Sequence, residues 1–99
     1  MAFDFVAISV TGIRLTTSAT SAGAAIPVDS SGNIPRFIRI AATAPASVRL
    51  GVGAQTAVTT DLQVQPGDAV IVPTMGATHI AAIQVSGAGL VQVSPLENL

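Results

Sequence analysis

Cysteine, lysine, tryptophan and tyrosine are all missing from this chain of 99 residues. Without cysteine there is no disulfide, no thiolate metal site and no cysteine nucleophile; such a chain suits either redox compartment. Charge is scarce too. Only 9% of the residues are charged, against about 25% in an average domain. The bases are Arg14, Arg36, Arg39 and Arg49; the acids are Asp4, Asp29, Asp61, Asp68 and Glu97. A net charge of -1, no basic run and three Phe as the sole aromatics argue against a nucleic-acid partner, which calls for a basic patch and stacking rings. A hydrophobic content of 49% argues against disorder. The uncharged stretch 69–96 is broken by Pro73, Gly76, His79, Gln84, Gly87, Gly89, Gln92 and Pro95, too often for a bilayer helix. The opening "MAFDFVAISV" carries Asp4 where a signal peptide has basic residues. No membrane partner is expected.

A globular chain of this size exposes roughly 5,000 Å². Few charges spread over that area leave Ser, Thr, Gln, Gly and Ala to cover it, and a near-neutral surface of this kind associates readily. The expectation is a protein that packs against copies of itself, as a trimer or dimer, or against a partner.

What the chain does have is alternation, the mark of half-buried strands. Ile13 and Leu15 alternate with Arg14 and Thr16, Val48, Leu50 and Val52 with Ser47, Arg49 and Gly51, Leu62 and Val64 with Asp61, Gln63 and Gln65, and Val91 and Val93 with Gln92 and Ser94. No segment carries the apolar stripe of a helix, and Val, Ile and Thr favour a pleated surface. Strands are predicted at 3–10, 12–17, 25–28, 36–42, 47–52, 61–64, 69–73, 79–85 and 90–94, separated by turn signals such as "SSGNIP", "QPGD", "TMGAT" and "SGAG". Short strands with turns this frequent predict an all-β, single-domain antiparallel β-sandwich or jelly-roll-like barrel over 1–99. Contact arms are expected at 1–10 and 95–99, and an irregular loop region at 17–35. Phe37–Ala41 and Ala69–Val72 have little polar relief, which suits a central strand or burial under a neighbouring subunit.

Chemistry is hard to find. Gly67, Pro73, Gly76 and His79 resemble the second half of the cupin metal signature, with one extra residue between Pro73 and Gly76. The first half is missing: His79 is the sole histidine and Glu97 the sole glutamate. One chain cannot supply the ligands of a zinc or facial-triad iron site. The same residues read more simply as turns. Gln65-Pro66-Gly67-Asp68 suits a type II turn with Gly at positive φ, and Pro73 ends a strand because it donates no ladder hydrogen bond. Serines occur without a Gly-x-Ser-x-Gly elbow. Asp61 and Asp68, the candidate carboxylate pair, sit where Asp commonly bends the chain. No catalytic, cofactor or metal residue is assigned, and no enzyme is expected.

Three stretches, "NIPRFIRIAATAPASVRLGVG", "TTDLQVQPGDAVIVP" and "HIAAIQVSGAGLVQVSPLENL", together resemble the small all-β virion proteins of tailed bacteriophages over roughly the last two-thirds of the chain. The resemblance implies a capsid decoration, or cement, protein on the virion surface, partnered by the major capsid protein or another virion protein. The alternative is a tail, baseplate or fibre component or a receptor-binding β module. The resemblance assigns no functional residue. The composition and the apolar ends point to Phe3, Phe5, Leu96 and Leu99 as interface residues. Arg36, Arg39 and Arg49 join them because a guanidinium fork pairs well with carboxylates.

Overall fold

The computed structural model describes residues 6–7 and 11–98. They form β1 (Val6–Ala7), β2 (Ile13–Thr16), β3 (Ala22–Ala25), β4 (Phe37–Ala42), β5 (Ala46–Gly51), β6 (Leu62–Val64), β7 (Val70–Pro73), β8 (His79–Gln84) and β9 (Leu90–Asn98), with no helix among the described residues. Two sheets result. In the first, β1 and β2 both pair with one side of β9, whose other side pairs with β4, and β4 pairs with β7. The second runs β3-β8-β5-β6. Every pairing is antiparallel. The fold is an antiparallel β-sandwich.

The pairings nest. β2 pairs with β9, β3 with β8, β4 with β7 and β5 with β6. The chain is thus one long antiparallel ribbon, turning back between β5 and β6, with successive pairs assigned to opposite sheets. Two lateral ladders, β4 with β9 and β5 with β8, close each sheet.

Alternation puts one set of side chains between the sheets. Ile38, Ile40, Val91 and Val93 from the first sheet meet Val48, Val64 and Ile80 from the second, all essentially fully buried. Leu15, Ile26, Ala46, Ala77 and Ala82 complete the cluster, with Ile13, Leu50, Val70 and Val72 packed against it. Each large aliphatic side chain removed from water contributes about 1.5–3 kcal/mol.

Threonines tie the loop ends to strands, giving backbone groups the partners that burial demands. Thr17 N–H donates to Gly89 O (2.8 Å) while Thr17 Oγ1 accepts from Gly89 N–H (2.9 Å). Thr43 does the same to Leu90, at 2.9 and 2.8 Å. At the other end Thr74 donates through N–H to Arg36 O (2.9 Å) and through Oγ1 to Pro35 O (2.6 Å).

The 65–68 turn is closed by Asp68 N–H to Gln65 O (3.1 Å) with Gly67 at φ 82°, as the sequence predicts for a type II turn. The 74–77 turn has two central residues at positive φ, Met75 (48°) and Gly76 (84°), the hairpin geometry that matches strand twist.

One expectation needs correction, and other expected segments take definite places. The strand expected at 25–28 lies at Ala22–Ala25, inside the region read as irregular. Ala-Gly-Ala-Ala has no β-branched residue to mark it, and Ile26 and Pro27 instead plug the core side of the loop. The expected arm at 95–99 is, as far as it is described, the end of β9: Leu96 pairs with Phe37 and is 6% exposed. Pro95 is tolerated because it falls between the segments of β9 that pair with β2 and with β1. Of the two strands with little polar relief, β4 is central but β7 is a sheet edge. Of the expected 1–10 arm, Val6 and Ala7 pair with Glu97 and Asn98 and the rest lies outside the described residues.

Gly12 and Gly67 separate two reasons for glycine. A Cβ on Gly12 would overlap the carbonyl oxygen of Val93 in β9, whereas a Cβ on Gly67 would meet no atom within 4 Å. Gly67→Ala should therefore cost only the left-handed backbone penalty, about 1–2 kcal/mol. Gly12→Ala must displace β9 and should cost about 3 kcal/mol, the upper range for forced overpacking. Chemical denaturation of both variants checks this; a Gly12→Ala loss no larger than that of Gly67→Ala contradicts the close approach.

Candidate functional site

The two sheets treat their outer faces differently. On the second sheet four outward positions are small, Gly23, Ala81, Ser47 and Gly51, beside the larger outward residues His79, Arg49, Ile83 and Gln63. Small residues allow backbone to approach, and the loop 52–61 lies across them. Ser47 and Ala81 are fully buried although they face away from the core, and Ala57 of the loop is 1% exposed. Ser47 Oγ donates to Thr59 O (3.0 Å), and Ser21 Oγ accepts from Ala57 N–H (2.8 Å). Gln55 occupies the space over Gly51, which a Cβ there would invade, and donates from Nε2 to Val52 O (3.1 Å).

Arg49 and Asp61 fasten this loop at its β6 end. Arg49 donates from Nε and Nη2 to Asp61 Oδ1 at 3.2 and 3.0 Å. Asp61 Oδ2 accepts from Val58 N–H at 2.8 Å. The Val58 N–H, and after it the Arg49 guanidinium, hold the Asp61 carboxyl below its ordinary value of 3.8. Arg49, expected at an interface, thus already has its carboxylate within the chain.

The outer face of the first sheet has no comparable loop across it among the described residues. Its cross-strand rows read Leu96-Phe37-Pro73, Ser94-Arg39-Ile71 and Arg14-Gln92-Ala41. Phe37, Arg39, Ala41 and Ile71 are half-buried, Arg14, Gln92 and Pro73 are exposed, and Ser94 and Leu96 are buried. At the Phe37–Pro73 end this face runs into a groove of about 380 Å³ lined by Ile34, Arg36, Phe37, Pro73, Thr74 and Met75. Met75 stands at its rim, 88% exposed. Among the described residues Arg49–Asp61 is the ion pair; Arg14, Arg36 and Arg39 have none.

The sequence candidates distribute as follows. Arg36 and Arg39 belong to the first-sheet surface, Arg49 to the loop clamp on the second sheet. Leu96 is buried, and Phe3, Phe5 and Leu99 lie outside the described residues. Arg14, Ile71 and Met75 were missed. Arg14 carries the same alternating signal as other strands, Ile71 lies in an apolar run that does not mark an outward face, and nothing in Thr-Met-Gly-Ala says that the methionine is left in solvent. His79 opens β8, as expected, between Ala25 and Gly51. Thr78 Oγ1 accepts from Gly53 N–H (2.8 Å) and lies 2.8 Å from His79 Nδ1. Asp61 is engaged by Arg49, while Asp68 closes the Gln65 turn through its backbone. Among the described residues no three of His, Asp and Glu gather as a metal site would require.

No protein-family model, no curated protein and no solved structure matches this chain.

Asp61 provides a pH test of the loop clamp. Its pKa is lower in the folded chain than the ordinary 3.8. Ionisation therefore favours folding; this contribution is complete well above that value and disappears as pH falls through the lowered one. The stability lead of the native chain over Asp61→Asn should be largest near neutral pH and shrink below about pH 4. Denaturation midpoints across that range check it; a gap that is constant with pH contradicts the clamp.

Proposed function

We propose that this chain is a jelly-roll structural component of a tailed-phage virion, a capsid decoration protein that bridges neighbouring capsid subunits. On this reading it is no enzyme and needs no cofactor. Counting β1 and β2 as one edge strand leaves eight strands in two four-stranded sheets, nested pair within pair. That order suits the double Greek key of a jelly roll, an architecture used by viral capsid proteins as well as by lectins and cupins. The motifs of 33–99 that resemble small virion proteins favour the first of these uses.

The observation that carries the functional reading is the unequal finish of the two faces. One sheet is closed by the chain's own loop. The other presents half-buried Phe37 and Ile71, an apolar edge strand and arginines with no carboxylate partner among the described residues. A molecule that acts by lying against a larger surface needs one such face and a rigid body behind it. Each docked copy gains little after the cost of association, but many copies on one lattice add up. The role asked of the fold is mechanical: to hold subunits together against the pressure of packaged DNA.

Particles with and without the protein test this. Heads that lack it should release DNA at a lower temperature, and adding the purified chain back should restore the original value. Release at an unchanged temperature contradicts a cementing role. Recovery of the protein solely from purified tails contradicts the head location and moves the assignment to a tail, baseplate, fibre or receptor-binding module.

A further inference from the structure

We infer that the outer face of the β2-β9-β4-β7 sheet, continued into the groove beside Met75, is the docking surface, and that its partner is a protein surface carrying carboxylates between apolar side chains. This rests on the reading of the chain as a surface-docking virion protein and specifies where and to what it docks.

Charge placement is the first argument. Of the four arginines, Arg49 is neutralised on the opposite sheet by Asp61 at 3.0 Å. Arg14 and Arg39 stand on this outer face and Arg36 at its groove end, with no ion pair among the described residues. A guanidinium presents a planar fork that matches a carboxylate, so three on one side of the sandwich specify an acidic counterpart. The setting of these charges is the second argument. Arg39 lies in the row between Ser94 and Ile71, beside the row of Phe37 and Pro73. Ile71 and Phe37 are half-exposed and Met75 almost wholly so. Arginine interleaved with apolar and aromatic side chains is the composition of protein interface cores. A phosphate backbone would instead want a basic track, and the chain's net charge is -1. A second copy of this chain matches less well. Outside the Arg49 pair the carboxylates whose side chains are described are Asp29 and Asp68, which sit in loops at opposite ends of the sandwich. Asp29 already accepts from Ser31 and Asn33 N–H at 2.9 and 3.0 Å.

The test compares the native chain, Arg14→Glu, Arg39→Glu and, on the opposite sheet, Gln63→Glu. Each is added to heads stripped of the protein and also passed over an immobilised synthetic peptide that alternates glutamate with leucine. Thermal melts establish that each variant folds; if Arg39→Glu does not, Arg39→Gln replaces it. The expected result is that the native chain and Gln63→Glu bind both targets, that each arginine reversal loses tenfold or more on both (about 1.4 kcal/mol per tenfold), and that native binding weakens with salt. Heads bound equally well by all variants overturn the assigned face while leaving the decoration role intact. Heads not bound by the native chain overturn the decoration role, and the face is then judged on the peptide: arginine-dependent retention upholds it, and no retention overturns it. Tighter binding to a DNA duplex than to the peptide overturns the partner class in favour of nucleic acid. Reversals that convert a sedimenting oligomer to monomer overturn it in favour of a second copy.

Discussion

β9, nine residues long, pairs along one edge with β2 and β1 and along the other with β4. The rest of the sandwich depends on that constraint. Because the last strand pairs with the first, the ribbon of nested pairs is closed at its open end, and each inner pair is held in register by the one outside it. Val91 and Val93 bring the same strand into the centre of the core. Gly12 is the counterpart of this tightness: the chain passes so near the Val93 carbonyl that no side chain fits there. A shift in β9 would propagate to the ladders of β4 and β7 together.

With the core fixed, the two outer faces become free design variables, and the sequence settles them in opposite ways. Gly23, Ser47, Gly51 and Ala81 keep the second sheet flat enough for residues 52–61 to lie on it. Ser21, Ser47 and Asp61 then satisfy or fasten the loop backbone. The loop thereby covers polar and small surface with itself, without needing charge for solubility. On the first sheet the outward residues include Phe37, Ile71 and Pro73, and three arginines stand among or beside them. A chain with nine charged side chains on 5289 Å² of accessible surface has committed a third of its charge to this side. That asymmetry is the physical basis for reading one face as structural and the other as the working surface.

Much of the architecture was legible from period-two alternation. β4, β5 and β8 lie within one residue of their predicted bounds, because Ile38 and Ile40, Val48 and Leu50, and Ile80 mark their inward positions at period two. β3 was not legible, since Ala22-Gly23-Ala24-Ala25 owes its strand conformation to the β8 ladder and to the loop above it rather than to propensity. Val52 is 77% exposed although it continues the alternation of Val48 and Leu50: β5 ends at Gly51, and the pattern does not record where pairing stops. Arg49 shows the same limit for the candidate site. In sequence it is indistinguishable from Arg39; the nesting of β5 with β6 brings Asp61 beside Arg49, while Arg39 has no carboxylate partner among the described residues. The type II turn at Gly67 was readable because its geometry is entirely local.

Hydroxyl-radical footprinting of the chain, free and assembled on its particle, tests the division between faces most directly. The account predicts that Phe37, Ile71 and Met75 lose reactivity on assembly, while Val58 and Leu62, on and beside the loop-covered sheet, keep theirs. Protection of Val58 and Leu62, with Met75 and Ile71 as reactive as in the free chain, would contradict it.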